Sequence, residues 1–289
     1  MPIDQKIIDL YDDFTHSRLE RRVFLERLAM LTGSVAAAMT ILPLLGPNYA
    51  HGAITQPDDN RLETKRVTFK GFTGEVKAYQ AKPKGAGRLP VVIVIHENRG
   101  SNPHIDDVTR RMALEGFLAV APDSLSSVGG TPADQDLARD LFEKLDKDLA
   151  RQDHVALVKI LKSSPEGNGK VGAMGFCAGG TAVNQLAIHS PELDAAVPYY
   201  GRVPDVADVP KIKAPILAHY GEKDPNVNNG IPGFEEALKQ ANKKYTLHIY
   251  EGAQHSFNSD VSLDRYHKEA AELAWKRTVA FFKENLTGG

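Results

Sequence analysis

The stretch KVGAMGFCAGG, residues 170–180, decides the fold of this chain. Its first part, Lys170–Phe176, predicts a buried strand, and a helix is predicted to follow directly after the turn. Between them stands Cys177, with Gly175 two residues before it and Gly179 two residues after it. On a very sharp strand-to-helix turn, bulky side chains at those two positions would collide, so glycine is required. We therefore predict a tight turn that lifts the Cys177 sulfur above the sheet.

This turn has the spacing of the G-x-S-x-G nucleophile elbow, with cysteine in place of serine. The first N–H groups of the following helix, together with its dipole, favour a thiolate and a developing oxyanion. A lone cysteine is otherwise a small buried hydrophobic residue, and Cys177 is the only cysteine in the chain. Its place between strand and helix makes us favour a nucleophile. A single cysteine excludes an intrachain disulfide and a metal site of several thiolates.

Strands alternate with helices from about residue 90 to the end of the chain. An initial hairpin, Lys65–Lys70 with Glu75–Ala81, predicts an antiparallel edge. The predicted strands are Leu89–His96, Phe117–Ala121, Lys170–Phe176, Ala195–Tyr200, Ala214–Tyr220 and Tyr245–Tyr250. The predicted helices are Ile105–Glu115, a stretch over Asp134–Lys162 with a break in its middle, Ala178–His189, Ile231–Ala241 and Ser262–Asn285. This order predicts the α/β class: an α/β-hydrolase fold whose mostly parallel central sheet carries helices on both faces.

Two loops supply candidate partners for the cysteine. Asp224 follows the predicted strand Ala214–Tyr220, and His255 follows the next one, Tyr245–Tyr250. The order nucleophile, acid, histidine is that of α/β-hydrolases, and the carboxyl ends of parallel strands meet at one edge of the sheet. We predict that His255 takes the thiol proton and that Asp224 orients the imidazole. Glu222 competes for the acid's role but lies closer to the strand.

The first fifty residues allow two interpretations. Arg21 and Arg22 precede an uncharged stretch, Leu28 to Leu45, and small residues follow at Ala50 and Ala53. This pattern resembles a twin-arginine export signal. The alternative is a retained helix that packs on the enzyme or on a second subunit. The localisation is accordingly periplasmic under the first interpretation and cytoplasmic under the second.

The chain divides into three predicted parts: an N-terminal helical extension over residues 1–53, a polar linker over 54–63 and the hydrolase domain over 64–289. The net charge is −2 and no concentrated Lys/Arg run occurs, so nothing indicates nucleic-acid binding. No metal cluster or dinucleotide fingerprint appears, so no cofactor is implied. Membrane contact is expected only through the N-terminal segment. Whether the chain forms a homodimer is left open.

Four motifs together resemble the dienelactone hydrolase family over about residues 65–285. They are HENRG (His96–Gly100), GFCAGG (Gly175–Gly180), GEKD (Gly221–Asp224) and GAQHSF (Gly252–Phe257). The resemblance implies hydrolysis of a small-molecule carboxylic ester or lactone through an acyl-enzyme. It also implies that Glu97 contacts the resting thiol and modulates the nucleophile. The alternative for Glu97 is a surface carboxylate or a partner of Arg99.

The oxyanion hole is predicted from two backbone N–H groups. That of Ala178 follows from the elbow geometry, and that of Asn98 is implied by its position in the HENRG motif.

One departure concerns the arginines that hold a substrate carboxylate in family members acting on dienelactone. One of those arginines follows the catalytic histidine, whereas this chain reads HSFNS from His255 to Ser259. The candidates to replace it, or otherwise to line the substrate pocket, are Arg99, Arg110, Arg202, His104 and Tyr200. The alternative for each arginine is an ordinary surface charge, and the alternative for Tyr200 is a position in the hydrophobic core.

The catalytic residues do not determine the leaving group, so a thioesterase or peptidase stays open beside the ester hydrolase. A different class also stays open, because a fold does not prove activity. The chain could be a non-catalytic, envelope-associated binding protein that uses the N-terminal segment as its anchor.

Overall fold

Continuous apolar runs form the central strands of one eight-stranded sheet. The computed structural model describes residues 3–16, 19–45, 53–262 and 264–287. The strands are β1 (Leu62–Lys70), β2 (Glu75–Pro83), β3 (Leu89–Ile95), β4 (Leu118–Pro122), β5 (Gly167–Phe176), β6 (Ala195–Tyr199), β7 (Ile216–Lys223) and β8 (Tyr245–Gln254). Their order in the sheet is β1-β2-β4-β3-β5-β6-β7-β8.

Helices precede the first strand, connect several of the later strands and follow the last one. They are α1 (Gln5–His16), α2 (Arg21–Thr32), α3 (Val35–Leu45), α4 (Pro103–Leu114), α5 (Gln135–Lys144), α6 (Lys147–Lys162), α7 (Ala178–His189), α8 (Pro225–Asn228), α9 (Ile231–Gln240) and α10 (Lys268–Leu286). The six strands from β4 to β8 in the sheet order pair in parallel, while β1 and β2 form an antiparallel edge. The predicted fold class and the antiparallel edge are therefore confirmed.

Each face of the sheet carries its own core because successive side chains of a strand point to opposite faces. Val92 and Val94 of β3 pack with residues of α4 and α10. Val91, Ile93 and Ile95 of the same strand pack with residues of α6, α7 and α9. With both faces covered, β3 is apolar at every position, which is the pattern of a central parallel strand.

Capping side chains set the starts of two helices. The stretch over Asp134–Lys162 is broken in its middle, as predicted, because the side chain of Asp146 accepts hydrogen bonds from the N–H groups of Asp148 and Leu149 and starts α6 there. The last helix begins at Lys268 rather than at Ser262, where a run of turns precedes the cap formed by His267. In both places a local capping side chain decides the helix start.

The N-terminal helices form a small core of their own. Phe24, Leu28 and Leu45 are buried there together with the apolar side of α1. Helices α2 and α3 meet at 110° next to Gly33, whose φ is 82°. Neither helix, nor any other single helix in the described ranges, is long and apolar enough to cross a membrane; only the bent pair passes that test. The Ala50 end of the export pattern lies outside the described residues, and the three-part division of the chain stays a prediction.

Replacing Phe282 with alanine tests the core under the sheet. Phe282 is fully buried and its ring lies 6.1 Å from that of Phe117. We expect Phe282→Ala to lower the free energy of unfolding by about 3–5 kcal/mol, because it leaves a cavity. Urea unfolding measures this. Lys276→Ala, an exposed position on the same helix, is the control and should change stability by less than about 0.5 kcal/mol; equal losses in both variants would contradict the assignment of the core.

Candidate active site

Cys177 lies on a strained turn between β5 and α7. Its backbone has φ 53° and ψ −113°, a conformation that L-residues other than glycine rarely adopt. The glycines on either side have no room for a side chain. A Cβ on Gly175 would lie 2.4 Å from the carbonyl oxygen of Gly179, and one on Gly179 would lie 2.3 Å from that of Ile95. The turn predicted from the glycine spacing is therefore formed, with the sulfur at the carboxyl edge of the sheet.

Asp224 and His255 come together where the adjacent strands β7 and β8 end. The Nδ1 atom of His255 lies 2.6 Å from Oδ2 of Asp224, and both residues are buried. The competing acid, Glu222, is exposed and accepts a hydrogen bond of 2.8 Å from the N–H of Gly252 instead. The structure thus pairs His255 with Asp224 and not with Glu222.

The pKa of the His255 imidazole lies well above its usual range, although burial by itself lowers it. The negative charge on Cys177, hydrogen bonds with Asp224 and Cys177, and the charge on Asp224 outweigh the burial. Such coupling requires the sulfur and the carboxylate to be near neighbours of the same ring. The three predicted catalytic residues are therefore gathered in one place.

A cleft of about 1090 Å³ opens over these residues. Among the predicted residues, those that line it are Asn98, Cys177, Ala178, Tyr200, Arg202, Asp224 and His255. Tyr200 has φ 36°, and Ser256, next to His255, has φ 63°. Three of the four non-glycine residues with positive φ in the described parts of the chain thus belong to the site or adjoin it, which is where backbone strain is usually held.

Glu97 lies at the end of β3, half-buried. Its Oε1 atom is buried, and no hydrogen-bond partner reaches that atom from the described residues. Burial raises the pKa of Tyr200 well above its usual range, and the charges of Glu97 and Cys177 raise it further. The Tyr200 ring lies 5.1 Å from the His255 ring. Glu97 is therefore within electrostatic range of the site, with an unsatisfied carboxyl oxygen.

The two predicted oxyanion donors, Ala178 and Asn98, both border the cleft. Ala178 is the first residue of α7, so its N–H has no acceptor within the helix.

Three predicted pocket residues do not line the cleft, because each is bound elsewhere. The guanidinium of Arg99 donates to the Tyr11 hydroxyl at 2.8 Å. His104 is buried with Nδ1 3.2 Å from Oδ1 of Asp260. Arg110 is buried and donates to the carbonyl oxygen of Thr55 at 2.8 Å.

Several residues of the cleft wall were not predicted from the sequence, among them His96, Ser124 and His154. The N–H of Ser124 donates to Nε2 of His96 at 3.0 Å, so His96 carries its proton on Nδ1 and donates it to the Glu97 carbonyl at 2.6 Å. Ser124 Oγ lies 3.1 Å from Nε2 of His154. Burial lowers the pKa of His154 to about 4, and it also lowers that of His96. Ser124 follows β4, so its place after a parallel strand could have indicated it.

Asp13 and Thr15 of α1 also line the cleft. Nothing in the spacing of the chain indicates this, because the two residues precede Cys177 by more than 160 positions. No group of three or more His, Cys, Asp or Glu side chains suited to a metal occurs within the described residues.

Comparisons with known proteins give one family over most of the chain. The model of the dienelactone hydrolase family matches residues 76–286, and a second model, described as YqhI-like, matches residues 1–34. A "Putative carboxymethylenebutenolidase" of Escherichia coli is 35% identical, with 80% of this chain and 90% of the relative covered. "Protein usf" of Aquifex pyrophilus is 39% identical, with 76% and 98% covered. The crystal structure of a "Putative Dienelactone Hydrolase" from Klebsiella pneumoniae superposes with a TM-score of 0.71 at 30% identity, with 77% of this chain and 99% of that one covered.

Titration of His255 tests the electrostatic arrangement. We expect its imidazole to titrate above the usual value of about 6.5 in NMR spectra, with the resonance identified by its loss in His255→Gln. Asp224→Asn should move the midpoint down, because the neutral amide no longer stabilises the imidazolium. Glu222→Gln, which changes the competing acid two residues earlier in the chain, should leave the midpoint in place. A titration midpoint that moves in Glu222→Gln but not in Asp224→Asn would contradict the pairing of His255 with Asp224.

Proposed function

The chain belongs to the dienelactone hydrolase family, and from this membership we propose that it hydrolyses carboxylic esters or lactones through an acyl-enzyme on Cys177. The observation that carries the proposal is the buried 2.6 Å contact between His255 Nδ1 and Asp224 Oδ2 beside the Cys177 turn. A cysteine, an imidazole and a carboxylate in this arrangement have the roles of a catalytic triad. His255 is the general base and acid, and Asp224 sets its tautomer.

The chemistry proceeds in two halves. The Cys177 sulfur attacks the substrate carbonyl carbon, and the carbonyl oxygen becomes an oxyanion that the N–H groups of Ala178 and Asn98 stabilise. The tetrahedral intermediate collapses, the carbon–oxygen bond of the ester breaks, and the proton held by His255 passes to the leaving alkoxide. His255 then removes a proton from water, which attacks the thioester carbonyl carbon; the carbon–sulfur bond breaks, the acid is released, and the Cys177 thiolate is left beside the protonated His255. With a lactone, the leaving hydroxyl stays attached to the same product.

Glu97 is proposed to modulate the nucleophile. Its Oε1 atom is buried without a hydrogen-bond partner among the described residues, and its charge acts on Tyr200 beside the triad. In this structure the Cys177 sulfur interacts with His255; in a second position of its side chain, a thiol proton would satisfy the Glu97 oxygen. Substrate entry would then return the sulfur to His255, so that the nucleophile is activated when the cleft is filled.

Arg202 is the predicted arginine that borders the cleft, and its side chain is exposed there. Its backbone N–H donates to Thr181 Oγ1 at 3.0 Å, which anchors the residue on α7. An exposed guanidinium at the cleft wall suits a substrate that carries a free carboxylate. We therefore favour ester or lactone substrates with a second, acidic group.

Replacing the nucleophile is the main test. We expect Cys177→Ala to lower kcat/KM for p-nitrophenyl acetate by at least about 10³-fold, because no acyl-enzyme can form. Ser124→Ala is the matched control, since Ser124 is the other nucleophilic side chain next to a histidine in the same cleft; it should lose less than about tenfold. Equal rates for wild type and Cys177→Ala would remove the cysteine mechanism. If the wild type hydrolyses no ester, the result would favour the alternative of a non-catalytic binding protein.

A pair of esters tests Arg202. Arg202→Ala should lower kcat/KM for a half-ester with a free carboxylate by about tenfold relative to the matched neutral ester, since a charge-assisted hydrogen bond contributes about 1.5–3 kcal/mol. The ratio between the two esters is the readout, because a general loss of stability affects both substrates alike. Arg99→Ala is the control, and an equal change of the ratio in both variants would contradict the assignment.

A further inference from the structure

Helix α1 lies outside residues 76–286, which the hydrolase family model matches, yet it borders the catalytic cleft. Asp13 and Thr15 line the same cleft as Cys177 and His255. We propose that α1 is a fixed wall of this cleft that limits the length of the substrate chain able to reach Cys177. This inference rests on the proposed function, because it concerns the substrate of the same site.

Two hydrogen bonds attach α1 to the loop after β3. The side-chain amide of Asn98 donates to the carbonyl oxygen of Thr15 at 2.6 Å. The guanidinium of Arg99 donates to the Tyr11 hydroxyl at 2.8 Å, a charge-assisted bond. The wall is therefore tied to the loop that carries the proposed oxyanion donor. A hydrogen bond to a helical carbonyl so near the end of α1 also stabilises that end of the helix.

Two cation–π contacts hold aromatic side chains of α1 in place. The guanidinium of Arg139 lies 4.1 Å from the centre of the Phe14 ring, and that of Arg265 lies 5.3 Å from the centre of the Tyr11 ring. Both arginines are buried, and a desolvated cation over an aromatic face is worth more than an exposed one. The helix is thus held from α5 and from the loop before α10.

A third hydrogen bond of α1 reaches the end of β8. The side-chain amide of Gln5 donates to Oε1 of Gln254 at 3.0 Å, and Gln254 directly precedes His255. The first and last turns of α1 therefore contact the end of β8, next to His255, and the loop after β3.

The wall is supported from behind by α2 and α3. The Phe14 ring stacks on Phe24 with centres 4.3 Å apart, and Leu10 and Leu28 are buried in the same cluster. An isolated helix of 12 residues is only marginally stable in water. Packing in this cluster therefore stabilises α1. A wall built from residues 5–16 also requires that this segment stays on the working enzyme, which is the second of the two interpretations of the first fifty residues.

Adding bulk at Asp13 tests the wall. Asp13 is exposed and borders the cleft, whereas Asp9 is exposed one turn earlier on the same helix and does not line it. We expect Asp13→Trp to lower kcat/KM for p-nitrophenyl octanoate by about tenfold relative to p-nitrophenyl acetate. Asp9→Trp, with the same change of size and charge, should keep the wild-type ratio. Asp13→Ala should move the ratio the other way.

An octanoate-to-acetate ratio that is the same in wild type, Asp13→Trp and Asp13→Ala would overturn the proposal. Thermal unfolding of each full-length variant shows whether the helix unit is still folded; a Trp variant that unfolds leaves the Asp13→Ala ratio to decide.

Alkylation of Cys177 gives a readout that does not need ester turnover. The chain has one cysteine, so labelling reports only on access to this sulfur. Asp13→Trp should slow the reaction with iodoacetamidofluorescein about tenfold while that with iodoacetamide stays within about twofold, and Asp9→Trp should change neither. Equal slowing of both reagents would overturn the wall. An enzyme that hydrolyses no ester would end the proposed function and would leave this labelling test in force.

Discussion

The close approach of the Cys177 turn to the end of β3 is the constraint on which the rest of the site depends. Gly179 packs so tightly against the carbonyl groups of Ile95 and His96 that an added Cβ would lie 2.3 Å and 2.5 Å from their oxygens. This contact sets the loop after β3, with Glu97 and Asn98, beside the sulfur. A side chain on Gly179 would push the Cys177 turn and this loop apart, and would thereby disrupt the proposed oxyanion position between them.

The histidines of the cleft are all buried, but their neighbours decide whether the pKa of each imidazole is lowered or raised. His96 and His154 have lowered pKa values because burial disfavours their charged forms. His255 is just as buried, but the charge on Cys177 and the Asp224 carboxylate raise its pKa. The cleft therefore holds two neutral imidazoles beside one that favours its proton. Only the third is placed to exchange a proton with the sulfur, so the two neutral rings are expected to shape the wall.

The sequence could predict those features of the site that neighbouring residues or the order of the strands determine. The glycine spacing around Cys177 predicts the turn because sterics within a few residues decide it. Asp224 and His255 could be assigned because parallel strands end at one edge of the sheet. His154 and the helix α1 could not, since they reach the cleft through tertiary packing that has no period or spacing in the chain. Arg99 does not line the cleft in this structure, because its guanidinium donates to Tyr11 of α1, a tertiary contact that no spacing in the chain predicts.

The proposed mechanism requires the substrate's acyl group to pass through a covalent bond to the Cys177 sulfur. Intact-protein mass spectrometry of enzyme quenched in acid during turnover of a slow ester detects such a bond. We expect a mass increase equal to the acyl group, located by peptide mapping to the segment that contains Cys177 and absent when the substrate is exhausted. An adduct on Ser124, or turnover with no adduct on Cys177 when release of the acid is slow, would contradict it.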